Sequence, residues 1–461
     1  MKSGNLPNII LVVLDTLRFD SIKAFKGVLE DFKDYGFAVS ASPWTLPSHV
    51  TLFTGLYPSQ HGSHEDDNVK CDNISRIRNH SITLPERLKD LGYSTYAYSA
   101  NILVSQVYGF SGFDRFVNFS SSFDWPKLLD MLSGFPKHNF EKYLLSHERK
   151  DAAKFLLSLV KDNPQLLLKI LHDYALYSLE HISKNWPFDK GSRRLLKMLS
   201  HDNFRTPFFL FMNLLEVHEP YFKSDSLVSG LSPRPVETVS SKELHRWIEG
   251  YDVQVAYTVK RIQDMLSLLQ KRGMLDDSLV IITSDHGQLL GEHGWIGHGV
   301  FLYDELIRVP LMVKYPISLD IKFEKPTGVI SLASLPRFIL ELVQGKQTDC
   351  GLYGSTAFAE SWGLYERVPP KREKIARAVL PTLSKRRVAV YSGSSKLAYN
   401  VTDETVEEFA TSTLEEDAAV QAYLKSLCVD FMSAERKMSN DVSSDEDDAL
   451  VLDQLRRLGY V

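Results

Sequence analysis

Asn8-Ile9-Ile10-Leu11-Val12-Val13-Leu14-Asp15 is an unbroken apolar run that stops on an acid. It does not alternate, so both faces of the segment are apolar. A strand of this kind belongs in a parallel sheet covered by helices on both sides. The run is too short to cross a bilayer. It also has no small-residue cleavage site, so it reads as a core strand rather than a leader peptide. The same texture returns at Pro207–Leu214 and Ser278–Asp285, with Val309–Tyr315 a further candidate. Between these runs, Tyr251–Lys271 spaces Val255, Val259, Ile262, Leu266 and Leu269 as one helical face. Strands alternating with helices predict an α/β fold, a doubly wound and mostly parallel sheet.

The 461 residues suffice for one large α/β domain and a smaller one. A net charge of -5, with lysines and arginines dispersed, gives no basic face of the kind that nucleic acid requires. Cys71, Cys350 and Cys428 lack metal-ligand spacing, and three cysteines cannot all pair within one chain. A reducing compartment follows, and with no transmembrane run in sight the expected location is cytoplasmic. Oligomeric state is not legible.

The catalytic α/β domain is expected over residues 1–322 and a C-terminal subdomain over 323–461. Within the first, residues 120–204 are helix-rich (Lys127–Leu132, Phe140–Leu145, Asp151–Val160, Gln165–Ser183 and Arg193–Leu199) and fall between two core strands. They form either an inserted cap or ordinary covering helices. Gln165–Leu179 is apolar enough to make lipid contact conceivable, but helix–helix packing is the better reading. In the second, Arg387–Tyr391 and Lys396–Asn400 flank a Ser-Gly-Ser-Ser turn and predict a small sheet. The acidic stretch Ser439–Asp448 reads as a linker to a short terminal helix.

Three places could carry chemistry. Asp15 ends a buried strand, where ligands of open α/β sheets bind; alternatively it caps the next helix. Asp285-His286 also ends a buried strand, and carboxylate beside imidazole suits Mn, Zn or Mg. Gly287 then allows a sharp turn. In the third place, Pro47-Ser48 suits a helix start and Gly55 a helix end. Thr45 then sits just ahead of the helix, where N–H groups and the helix dipole favour anions. Its hydroxyl is either a nucleophile or merely a cap.

Thr45, Pro47, Ser48, His49, Thr54 and Gly55 resemble the nucleophile motif of the sulfatase family. Leu14–Arg18, Leu56–Gly62, His218–Tyr221, Asp285–Gly287, Gly291–Gly294, Arg308–Leu311 and the terminal Leu458-Gly459-Tyr460 are similar to that family too, and they come in its order. The resemblance implies the alkaline-phosphatase/sulfatase-like fold with a small C-terminal α+β subdomain. It also implies an ester hydrolase.

Departures from the pattern matter for the chemistry. Formylglycine arises from Cys or Ser, and Thr45 cannot give that aldehyde. A second acid after Asp15 is replaced by Thr16, an Asp-Asn pair by Asp285-His286, an Arg by His49, and a substrate-binding Lys by His298. An imidazole in place of an oxygen ligand favours Mn or Zn over Ca, with Mg also open. The resemblance to threonine-nucleophile phosphohydrolases of the same superfamily then assigns Asp15, Thr45, Asp285 and His286 to one divalent ion. No Asp-x-x-x-His pair stands out for a second. Thr45, His218 and His298 are the catalytic candidates; His49 and, more weakly, His64 are the substrate-binding ones; His293 is structural. The expected activity is hydrolysis or transfer of phosphate mono- or diesters of a small molecule or head group. The rivals are a sulfate-ester hydrolase without formylglycine and a catalytically silent binding protein.

Overall fold

A computed structural model describes residues 6–64, 82–101, 103–119, 189–221, 233–323, 328–363, 373–411 and 417–441. The first apolar run is β1 (Asn8–Leu14), buried at every residue. It lies at the middle of a seven-stranded sheet with β2 (Lys33–Val39), β3 (Ser94–Ser99), β4 (Arg115–Asn118), β5 (Phe208–Leu214), β6 (Ser278–Thr283) and β7 (Arg308–Lys314), in the order β2-β7-β6-β1-β5-β3-β4. Strand β1 pairs in parallel with β5 (Ile9 opposite Phe209) and with β6 (Ile9 opposite Leu279). Strand β7 runs antiparallel to both its neighbours, so the sheet is mixed at one side.

Alternate residues of each central strand enter different cores. Ile9, Leu11, Val13, Phe209, Phe211, Leu279 and Ile281 face one way. Ile10, Val12, Leu14, Leu210, Met212, Val280 and Ile282 face the other. This two-sided burial is what the unalternating sequence required. Helices α1 (Thr45–Thr54), α2 (Leu84–Asp90) and α5 (Leu335–Val343) cover the first face. Helices α3 (Ser192–His201) and α4 (Ser241–Lys271) cover the second. Helix α4 begins ten residues ahead of the Tyr251 start read from periodicity, because Ser240 and Glu243 form a reciprocal capping box.

Helix α5 returns the chain to the main core after residue 323. The C-terminal sheet follows, with β8 (Thr356–Ser361), β9 (Arg387–Ser392), β10 (Ser395–Asn400) and β11 (Thr405–Ala410) antiparallel in chain order. The hairpin expected at Arg387–Asn400 is its centre. Helix α6 (Asp417–Asp441) packs on β9 and β10 and takes in the first residues of the acidic stretch read as a linker. Of the helices expected in 120–204, Arg193–Leu199 is part of α3; the others, together with Cys71 and the chain after 441, lie outside the described residues.

Phe53 pins α1 to the sheet. It is 1% exposed, and its ring meets Phe110, Phe113 and Phe211 edge-on at 5.6, 5.8 and 4.9 Å. Phe53→Ala is expected to lower unfolding stability by about 3–5 kcal/mol, read from urea denaturation. A loss below about 1 kcal/mol would contradict this packing.

Candidate active site

Parallel strands all release their chains at one edge, and four neighbours of this sheet do so side by side. Strand β1 delivers Asp15, β6 delivers Ser284, Asp285 and His286, β3 delivers Asn101, and β5 carries Asn213 as its last residue but one, ahead of Glu216 and His218. Asp15, Asp285 and His286 are each 0% exposed. Asp15 does not cap the following turn; its Oδ2 instead accepts a 2.7 Å hydrogen bond from Asn101 Nδ2. Thr16 stands at φ 62 and donates its N–H to Asp285 Oδ1 at 3.2 Å. A β-branched residue in the left-handed region costs on the order of 1–3 kcal/mol. The strain leaves Thr16 N–H bonded to Asp285. Ser284 Oγ accepts from Leu17 N–H at 2.9 Å and lies 2.6 Å from the Leu14 carbonyl, tying the two strand ends together.

Thr45 is the first residue of α1, not the residue ahead of it. The cap position is Trp44, and no side chain serves as cap. Pro47 fits the first turn because an N–H there has no intrahelical partner. Released from capping, Thr45 Oγ1 lies 3.4 Å from His286 Nε2 and 3.5 Å from Asn101 Nδ2. His286 donates from Nδ1 to the Gly287 carbonyl at 2.9 Å, which leaves the lone pair on Nε2. Gly287 does not turn in the left-handed region. A Cβ there would meet the Glu305 carbonyl oxygen at 2.0 Å, so it is close backbone approach that demands glycine.

The electrostatics call for a cation. Burial, then the like charge of Asp285, pushes the Asp15 carboxyl up to about 6. Burial pushes Asp285 up to about 7. Burial holds His286 below its ordinary value, hence neutral. Asp15 Oδ1 and Asp285 Oδ2 are buried and accept no hydrogen bond. One ligand atom from each of Asp15, Asp285 and His286 lies within 4.8 Å of the others. Orphaned carboxylate oxygens beside a neutral imidazole fit a divalent cation.

His218 and His298 lie beside this cluster. The His298 ring centroid is 4.6 Å from that of His286 and 5.0 Å from that of His218. Burial acts to lower His218, but the charges of Glu219 and Asp15 outweigh it, and its pKa is raised. Burial takes His298 well below the ordinary range. Lys190 also approaches: its Nζ donates to the carbonyls of Glu216 and His218, and burial lowers its pKa to about 7.

The remaining sequence candidates are placed differently. His49, fully buried, is on the core side of α1. Its Nδ1 donates to the Thr45 carbonyl at 2.9 Å and lies 3.4 Å from Asp285 Oδ2, its Nε2 accepts from Asn213 Nδ2 at 3.2 Å, and burial drops its pKa to about 3, so it backs the cluster from the core rather than lining the pocket. His64 stacks on Trp362 at 3.6 Å, in the stretch after β8. His293 meets Glu305 at 3.1 Å and stacks on Tyr303. Asn101 was missed because Ser94–Ser99 is too polar to resemble the other core strands, although the rule that found Asp15 applies to it equally. Glu219 stood inside a motif already noted, while Lys190 had no local signal.

A sulfatase family model matches residues 7–345. The Escherichia coli (strain K12) protein described as uncharacterized sulfatase YidJ is 23% identical over 71% of this chain and 66% of its own. N-acetylglucosamine-6-O-sulfatase of Bacteroides thetaiotaomicron is 37% identical over 16% of this chain and 13% of its own. The chain thus matches less than two thirds of the length of either relative. Among solved structures, a Bacteroides thetaiotaomicron protein described as a candidate sulfatase aligns with TM-score 0.59 at 14% identity, over 96% of both chains. Phosphonate monoester hydrolase from Silicibacter pomeroyi aligns with TM-score 0.55 at 14% identity, over 94% of this chain and 95% of its own. Among the described residues no helix is long and apolar enough to cross a membrane. Matched from β1 through α5, the chain belongs to the sulfatase family and has the fold of its ester hydrolases.

Proposed function

We propose that the protein cleaves or transfers phosphate or phosphonate esters with Thr45 as the nucleophile. The observation that carries this reading is a threonine hydroxyl, free of capping duty, 3.4 Å from the ring nitrogen of His286 in a carboxylate-lined site. Bound by Asp15, Asp285 and His286 together with Thr45, a divalent cation would supply a Lewis acid that lowers the pKa of the threonine hydroxyl. Thr45 Oγ1 forms the new bond to phosphorus as the bond to the leaving alcohol breaks, and the hydroxyl proton passes to solvent. Asn101 holds Asp15 and steers Thr45 Oγ1. The N–H of Leu46, in the open first turn of α1, faces charge growing on the non-bridging oxygens. The leaving oxygen meets positive charge on the side of His218, Glu219 and His298; among the chain's own groups that charge is the proton of His218, which the leaving alkoxide takes up. Water, or an acceptor alcohol, then breaks the Thr45 ester and restores the hydroxyl.

The second reading is sulfate-ester hydrolysis without formylglycine, favoured by the sulfatases among the relatives. Paired nitrophenyl phosphate, phosphonate and sulfate substrates separate the two. Thr45→Ala is expected to lower phosphoester turnover by about 1,000-fold or more. Sulfate turnover in excess of phosphoester turnover would favour the second reading, and activity surviving Thr45→Ala would remove Thr45 as nucleophile.

Metal removal carries a pH signature. Asp15 and Asp285 have folded pKa values above the ordinary 3.8. Protons therefore stabilise the metal-free fold most below about 4, and that stabilisation is lost as pH rises through about 6 to 7. Added Mn or Zn is expected to raise the melting temperature more at pH 8 than at pH 5, by on the order of 5 °C. An equal shift at both pH values would argue against these carboxylates as the ligands.

A further inference from the structure

We infer that Lys396 and Tyr391 of the C-terminal sheet are positioning residues for the strand end that carries Asp285 and His286, and that they act through Asp304. They stand directly opposite each other on β10 and β9, so both side chains leave the same face of that sheet. Lys396 is 2% exposed and Tyr391 4%. Both reach Asp304 Oδ1, Lys396 with Nζ at 2.8 Å and Tyr391 with a hydrogen bond from its hydroxyl. Arg308 Nη1 donates to the other oxygen of Asp304 at 2.9 Å. Lys396 Nζ also meets Glu408 of β11 at 2.7 Å, so one ammonium lies between two carboxylates. Burial acts to raise the Asp304 carboxyl, but the charge of Lys396 outweighs it and holds the group below the usual carboxylate range.

Asp304 opens a single helical turn, Asp304–Ile307, and that turn is bonded to the chain just past His286. The Gly287 N–H donates to the Leu306 carbonyl at 2.7 Å, and the Gln288 N–H to the Glu305 carbonyl at 3.1 Å. The contact is backbone against backbone. A Cβ at Gly287 would lie 2.0 Å from the Glu305 oxygen, so no side chain separates the two segments. A shift of the turn therefore passes directly to His286. Ser40 ties the same turn to Asp285. Its N–H donates to the Ile307 carbonyl at 2.8 Å, and its hydroxyl donates to the Asp285 carbonyl. Contacts of this kind, one step behind the ligands, set how ligands are oriented toward a metal.

Without the ammonium, Asp304 and Glu408 face each other as like charges in a partly buried joint. Their repulsion moves the turn away from the C-terminal sheet, and Gly287 and His286 move with it. The C-terminal sheet is in this way a working part of the site, although it supplies none of the ligands. The inference rests on the reading that Asp285 and His286 hold a divalent cation. It does not depend on Thr45 as nucleophile or on the ester that is cleaved.

The test is calorimetric titration of the full chain, stripped with chelator, with manganese chloride and with zinc chloride. Lys396→Met is expected to weaken metal binding about tenfold, the lower end of what supporting contacts around a metal are worth, and Lys396→Arg to restore most of it. Asp304→Asn should cost a similar factor, and the double variant no more than either single one, because both act along one route. Tyr391→Phe, which removes a single oxygen, should cost about threefold and serves where Lys396→Met does not fold by circular dichroism. Leu397 follows Lys396 on β10 but enters the opposite core, with Val388 and Val390, and is 0% exposed. Leu397→Ala should lower the melting temperature at least as far as Lys396→Met yet keep native metal affinity, which separates positioning from general loosening. Native affinity in the folded Lys396→Met or Tyr391→Phe protein overturns the positioning role and leaves the cation and Thr45 readings standing. Weakening in Leu397→Ala as large as in Lys396→Met, or additive losses in the double variant, overturns it as well. A native chain that binds neither metal overturns it together with the cation reading.

Discussion

Asp15 and Asp285 are buried carboxylates at the ends of adjacent parallel strands, each with an oxygen that no hydrogen bond satisfies. An uncompensated charge in such a place is costly unless it is paired, protonated or bound to a metal. The fold keeps both acids there all the same. It commits the Asn101 amide to one, and the Thr16 and His286 N–H groups to the other. The remaining oxygens point into one small volume with neutral His286. Two features of the site serve to hold those charges together: the left-handed Thr16 and the Ser284 tie between strand ends.

A comparable economy holds the neighbouring wall. Glu216 is fully buried, and its Oε1 accepts N–H groups from Lys190 and Ser192 at 3.1 and 2.9 Å. Its carbonyl accepts from Lys190 Nζ at 3.0 Å and from Gln254 Nε2 of α4 at 2.6 Å. The start of α3, the turn after β5 and the middle of α4 therefore meet at one residue. The turn is fixed at the point where it presents His218 and Glu219, so this wall rests on covering helices as much as on strands. Precise placement of ligands by such supporting contacts is what distinguishes a site from a chance grouping of polar residues.

Much of the architecture was legible because it depends on local pattern. Unalternating apolar runs predict strands buried on both faces, and β1, β5 and β6 are such strands. An acid closing two of them points to the ligand-binding edge, and Asp15 and Asp285 do converge there. Strands β2, β3 and β4 lie toward the sheet margins and carry polar or mixed sequences, so periodicity gave no sign of them. Asn101 was lost with β3 for that reason. His49 shows the opposite difficulty: one helical turn after Thr45 is compatible with either face, and packing put it between Phe211 of the core and the Asp285 carboxylate.

By itself the sequence determined the class of sheet, the strand ends that carry acids, the family, and the substitution of threonine for a formylglycine precursor. These follow from residue type and short-range spacing. Only the tertiary structure decided which distant residues share a volume. His286 is brought to Thr45 across 241 positions of chain, and Gln288 is set between Glu219 and His298. Strand order and register govern such encounters, and these are outcomes of the packing of whole faces, which no local stretch of sequence records.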